Sequence, residues 1–133
     1  MEIPLLGIRR TMLRMVMALL RNSHRQYYPD LRFAEGTEAM LISNTIFLAQ
    51  VEGKPFTVLA LSKHLGMPRA TLLRRLHYLE SKKFVRRDAD QRLEFNIERL
   101  RSAGASRTLH RGRRIVLATA NMLSKMDTDK CTQ

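Results

Sequence analysis

Arg69, Arg74 and Arg75 lie within one seven-residue stretch, with the small Ala70 and Thr71 beside the first of them and His77 and Tyr78 just beyond; Arg86, Arg87, Gln91 and Arg92 follow. This set holds neither a nucleophile beside a base nor a pair of carboxylates. A guanidinium forks onto the two acceptors of a guanine edge or onto a phosphate. Hydroxyl, imidazole and amide groups add single hydrogen bonds, and small residues let a helix backbone come close to a duplex. The chemistry on offer is contact with double-stranded DNA, provided that the chain folds these side chains onto one surface.

The local pattern provides for that. Thr57 is suited to cap a short helix that buries Leu61 and Leu65. Gly66 can end this helix in a left-handed conformation at little cost, and Pro68 suits the first position of a second helix, where its missing N–H has no partner to lose. In that second helix Leu72, Leu76 and Leu79 share one face. The opposite face then carries Ala70, Arg74, His77, Tyr78 and Ser81, with Thr71 and Arg75 on the flank and Arg69 at the entry. Next, Phe84–Arg87 reads as a strand and Asp88–Gln91 as a turn, while Arg92–Ile97 alternates, so that Leu93, Phe95 and Ile97 face inward. The result is a hairpin with an arginine-bearing tip, suited to the negative potential of a narrow minor groove. Two short helices hinged at a glycine, followed by a basic hairpin, are the outline of a winged helix-turn-helix.

Leu65-Gly-Met-Pro-Arg-Ala-Thr71, together with Leu79-Glu80 and Phe84-Val-Arg-Arg-Asp88, resembles the DNA-reading domains of bacterial winged-helix regulators of the IclR and MarR types. The resemblance covers Ala60 to Arg92, about a quarter of the chain. Only 36 residues follow Ile97, too few for the ligand domain of an IclR-type chain, so the layout is similar to the MarR one, and Asp90-Gln-Arg92 matches its Asp-x-Arg at the wing tip. Where that family continues with Leu-Thr and a glycine, this chain has Asn96-Ile-Glu-Arg-Leu100. The resemblance implies a reader held between N- and C-terminal helices that form a dimer.

The flanks are built for such a role. Residues 7–26 form an amphipathic helix with Ile8, Met12, Met15, Val16, Leu19 and Leu20 on one stripe and Arg10, Arg14, Arg21 and Arg25 largely opposite. An organelle transit peptide shares this Arg-rich, acid-poor pattern; a secretory signal does not fit, because Arg14 interrupts the apolar run. A second helix is expected from Glu35 to Val51, with Met40, Leu41, Ile46, Phe47 and Leu48 as its apolar side, ending at Glu52-Gly-Lys-Pro55. Residues 98–126 carry one long helix or one broken at Gly104 or Gly112, apolar at Ile115, Val116, Leu117, Ala120, Met122, Leu123 and Met126. The fold expected is mainly α: an N-terminal dimerisation helix (1–34), a winged helix-turn-helix (35–97) and a C-terminal dimerisation segment (98–133).

Composition is consistent with this. The chain has 133 residues, 44% of them hydrophobic, enough for one core, and a formal net charge of +12 from 24 Lys and Arg against 12 Asp and Glu. Between Lys54 and Arg92 ten basic residues face three acidic ones, the footprint expected of phosphate binding. A basic patch for anionic lipid would need exposed insertion residues beside it. The single cysteine, Cys131, allows no internal disulfide and indicates a reducing cytosol. His24, His64, His77 and His110 stand apart, without metal-ligand spacing, and no phosphate loop or nucleophile elbow occurs. No cofactor, metal or enzyme activity is expected. The function expected is that of a homodimeric, sequence-specific transcriptional regulator on double-stranded DNA, with or without a small-molecule effector and with no membrane partner. The alternative is a winged-helix module that binds RNA or another protein.

Overall fold

The structure, a computed structural model, describes residues 2–130, with side chains described from Leu5 to Met126; Cys131 lies outside the described residues. Its elements in order are helices α1 (Glu2–Tyr27), α2 (Phe33–Val51), α3 (Val58–Leu65) and α4 (Arg69–Ser81), strands β1 (Val85–Arg87) and β2 (Leu93–Phe95), a 3-10 turn at Ile97–Leu100, and helix α5 (Ala103–Lys130). The fold is mainly helical, with one small antiparallel hairpin. The chain divides into two compact units. Tyr28–Ser102 forms one, and α1 with α5 forms the other.

In the unit Tyr28–Ser102, each reversal has a local cause. Thr57 caps α3, its hydroxyl accepting from the Ala60 N–H at 3.3 Å. Gly66 ends that helix at φ +63°, and the Met67 N–H returns to the Ser62 carbonyl at 3.1 Å. A side chain at Gly66 would be strained by that φ, although nothing crowds the space around it. Helix α4 then starts at Arg69, with Pro68 just outside it. Leu61, Leu72, Leu76 and Leu79 are fully buried, as the apolar spacing predicts, and with Phe84, Leu93, Ile42 and Ile46 they make the core. Burying each such side chain contributes roughly 1.5–3 kcal/mol.

The inner face of α2 differs from the expectation. Leu41 and Leu48 are 50% and 55% exposed, and the buried line is Ala39, Met40, Ile42, Ser43 and Ile46. Two small residues decide this phase. Ala39 and Ser43 let α2 approach closely, and the Ser43 hydroxyl is satisfied by the Tyr28 hydroxyl at 2.6 Å. Phe47 sits half-buried at the edge, its ring 5.5 Å from Phe95 and nearly perpendicular to it.

The hairpin pairs Val85 with Phe95, Arg86 with Glu94 and Arg87 with Leu93. It also gains a third partner that the sequence pattern does not announce: the Leu93 N–H donates to the Phe56 carbonyl at 2.7 Å, and Thr57 bridges Arg92. Ile97, expected on the inner face, is 44% exposed and opens the 3-10 turn. Asn96 stops the strand, because its side chain accepts from the Glu98 N–H at 3.2 Å and donates to the Lys83 carbonyl at 3.0 Å.

In the other unit, α1 and α5 run antiparallel, and their seam is polar and small. Asn22 donates to the Thr108 carbonyl at 2.9 Å, Gly112 lies against Leu19 and Asn22, and Gly104 sits so close to Gln26 that an added Cβ would come within 2.7 Å of its amide. Helix α5 runs unbroken through Gly112, where the missing side chain serves close approach and not a break. Large apolar residues on both helices stay outside this seam. Leu13, Val16, Leu109 and Leu117 are between 44% and 73% exposed.

Candidate nucleic-acid interface

Burial of Leu72, Leu76 and Leu79 fixes the rotation of α4 and so decides which side chains it offers to a partner. Arg69, Ala70, Arg74 and His77 are exposed, and Thr71 is partly so. The helix begins with Arg69 and Ala70, leaving its first turn, with free backbone N–H groups and a small side chain, at the surface. Arg69, Arg74 and His77 have no side-chain hydrogen bond or ion pair among the described residues. Their polar groups are therefore available to an external acceptor. Arg74 borders a shallow depression shared with Arg32, Glu35, Glu38 and Arg75 without bonding to any of them.

Two other residues of the expected set are engaged within the protein. The Arg75 side chain is only 12% exposed, with its guanidinium 2.7 Å from Glu38 and 3.9 Å from Glu35. Tyr78 donates its hydroxyl to Asp30 at 2.7 Å, and Lys82 stands 3.2 Å from the same carboxylate. The Tyr78 hydrogen bond, followed by the nearby Lys82, holds the Asp30 carboxyl below its ordinary value. Burial, and then the hydrogen bond to the Asp30 carboxylate, push the Tyr78 phenol up, so that it stays a protonated donor. Glu35 is likewise held low by its bond to Arg32, whose backbone N–H and guanidinium it accepts from at 3.4 and 3.0 Å.

On the hairpin, Arg86 pairs with Glu94 directly across the ladder at 2.8 Å, and Arg87 lies 3.4 Å from Glu80. Both arginines are thus held straight by carboxylates, and since the pairs are exposed or half-exposed each is worth at most about 1 kcal/mol. The tip is organised by Asp88. One oxygen of its carboxylate accepts from the Asp90 and Arg92 N–H groups at 2.8 and 2.9 Å, and Gln91 takes a left-handed φ of +63° above it. Gln91 and Arg92 are exposed there, and Arg92 has no side-chain partner among the described residues.

The arrangement puts Ala70, Thr71, Arg74 and His77 on the outer side of α4, with Arg69 at its first residue, and places Gln91 and Arg92 at the end of a short hairpin. Arg75 is turned into an ion pair with Glu38, and Tyr78 into a hydrogen bond with Asp30. The residues that position them, Glu38, Asp30 and Asp88, are not evident from spacing alone, although an aspartate opening a polar turn is a readable signal at Asp88. Among the described residues no group of three His, Cys, Asp or Glu side chains could hold a metal ion, and no helix is long and apolar enough to cross a membrane. Comparison with protein-family models, with curated proteins and with solved structures returned no match.

Proposed function

We propose that the chain is a sequence-specific regulator that binds double-stranded DNA through a winged helix-turn-helix, with α3 and α4 as the helix-turn-helix, α4 as the recognition helix and the β1–β2 hairpin as the wing. The observation that carries this reading is the exposed outer side of α4, where Arg74 stands unpaired beside the short side chains of Ala70 and Thr71, with the exposed Arg69 at the helix start. Such a face lets a helix settle into a major groove and lets guanidiniums fork onto guanine edges or phosphate. Arg92, at a tip fixed by Asp88, is placed to meet phosphate or a minor groove. Arg75 and Tyr78 orient the helix in this reading and leave base contact to their neighbours.

The protein acts in the cytosol as a homodimer in this proposal, with α1 and α5 supplying the contact. The support is the set of large apolar side chains that the two-helix unit leaves exposed, Leu5, Met12, Val16, Leu109 and Val116 among them, since an exposed apolar patch marks an interaction surface. A two-fold dimer would read two half-sites one turn of duplex, about 34 Å, apart. Selection of bound duplexes from a random pool tests fold, readout and dimerisation together. A two-fold consensus is the expected outcome. Recovery of no consensus, with equal or tighter binding to single-stranded RNA, would replace this reading with that of an RNA-binding module.

A further inference from the structure

The two-helix unit of α1 and α5 is sided. Advancing about 100° per residue, the line of α1 that meets α5 runs through Thr11, Met15 and Asn22, all buried or half-buried. Leu5, Met12 and Val16 fall on one side of that line, and Arg10, Arg14, Arg21 and Arg25 on the other. Because α5 runs antiparallel, the same turn places Leu109 and Val116 on the first side, where they border a groove with Leu19, Ser23 and Tyr27. It places Arg107, Arg111 and Arg114 on the second side, and from there Arg111 reaches the Asn22 side-chain oxygen at 3.3 Å. All seven arginines of the second side are exposed. Across 5–27 and 103–126 there are nine Arg and one Lys and not one Asp or Glu; the acidic residues of the two helices, Glu2, Asp127 and Asp129, stand at the start of α1 and the end of α5.

We propose that this arginine face binds the phosphate backbone of duplex DNA irrespective of sequence, as a second contact surface separate from the α4 face. A surface of one sign, with nothing acidic in it, attracts a polyanion. Gly7 and Ala18 lie among its arginines on α1, while the exposed Leu6, Leu13 and Met17 border it beside Arg10 and Arg14. Arg10 to Arg25 span 15 residues of helix, about 22 Å at 1.5 Å per residue, a length over which duplex DNA presents about a dozen charges at one per roughly 1.7 Å. A lipid surface is the rival partner. An amphipathic helix on a membrane buries its apolar side among the headgroups; the side of Leu5, Met12, Val16, Leu109 and Val116 lies away from the arginines and would carry them off the lipid, whereas Leu6, Leu13 and Met17 border Arg10 and Arg14, so vesicle binding is one arm of the test. The apolar side can be covered by any partner while the arginine face stays open, so this inference does not depend on the reading of α4.

The test uses the full-length chain and a duplex of random sequence, with affinity measured across a salt series. Arg10→Gln, Arg14→Gln and Arg25→Gln combined should lower the magnitude of the log K against log salt slope by about 2.7, at roughly 0.9 per lost phosphate contact. The corresponding triple lysine variant should restore the slope. Arg107→Gln with Arg114→Gln repeats the measurement on α5, and circular dichroism checks that helix content is kept. Slopes equal to the parent's in both glutamine variants overturn the proposal. So does an unchanged slope accompanied by lost binding to vesicles of phosphatidylcholine and phosphatidylserine, which would assign the face to lipid. Arg69→Gln with Arg74→Gln probes the other surface: if that variant binds a selected site as tightly as the parent while the α1 variant loses slope, the recognition-helix reading fails and this one stands.

Discussion

Arg75 and Glu38 are joined by two contacts, Nε donating to Oε1 at 2.8 Å and Nη2 lying 2.7 Å from the same oxygen, which tie the middle of α4 to α2. The arginine is nearly buried and the glutamate is 42% exposed, so solvent screens one end of the pair. Arg75→Ala should therefore cost stability, about 1 kcal/mol, while changing the affinity of the folded protein for any duplex little. Urea unfolding read beside a mobility shift checks this. Full stability with a large loss of binding would return Arg75 to the DNA-contacting set.

Arg74 lies one residue away with the opposite behaviour expected. Its side chain is exposed and unpaired, so Arg74→Ala should leave unfolding within about 0.5 kcal/mol of the parent. It should cost roughly 1–3 kcal/mol of specific affinity and relax preference at one position of the site. Equal loss on every sequence would make Arg74 a phosphate contact. No loss on any duplex would remove α4 from the interface.

The difference between these two neighbours shows where sequence reading reaches. Leu72, Leu76 and Leu79 set the rotation of α4 through their spacing, and Thr57 and Gly66 act through chemistry within three to five residues, so the helices and the turn between them were legible, whereas the strand end at Asn96, tied to Lys83 13 positions away, was not. Rotation sets Arg75 on the flank and Arg74 outside, but that Arg75 is paired depends on Glu38, 37 positions earlier in the chain, and no local pattern encodes a partner at that distance. The same holds for Tyr78 with Asp30 and for the Phe56 carbonyl that takes up the Leu93 N–H. In α2 the longest apolar side chains misled the reading: Ala39 and Ser43 are inside because they are small, a packing property that hydropathy does not carry.

The Tyr78–Asp30 bond makes a pH prediction. Asp30 is held below its ordinary value in the folded protein, so the stability it contributes is present above the unfolded carboxyl pKa of about 3.9 and is lost as pH falls through the lowered folded value. Tyr78→Phe should cost about 1 kcal/mol near neutral pH, and the gap between variant and parent should narrow in the acid range below about pH 3.9. Urea midpoints at neutral and acid pH measure it. A gap that stays constant would show that the phenol does not act through the carboxylate.

At the hairpin tip, Arg92→Ala removes one cation and should lower the salt slope of duplex binding by about one unit. Asp88→Ala removes no positive charge but frees the Arg92 and Asp90 N–H groups from their acceptor. It should weaken specific binding by loosening the tip while leaving the slope within experimental error. Identical behaviour of the two variants would mean that the tip contributes through its fold alone.

The dimer is tested on the surface of α1 and α5. Val16 and Leu109 are 44% and 73% exposed on the apolar side of that two-helix unit, so charging them leaves the seam of Asn22, Thr108 and Gly112 untouched. Val16→Glu with Leu109→Glu should therefore preserve helix content and abolish self-association, since an unpaired carboxylate buried in a contact costs several kcal/mol. Affinity for a two-half-site duplex should then fall to that for one half-site, because the second reader is no longer delivered with the first. Sedimentation of the parent and the variant at equal concentration gives the answer. A parent that is monomeric at micromolar concentration and binds one half-site as tightly as two would leave α1 and α5 without a second copy to meet.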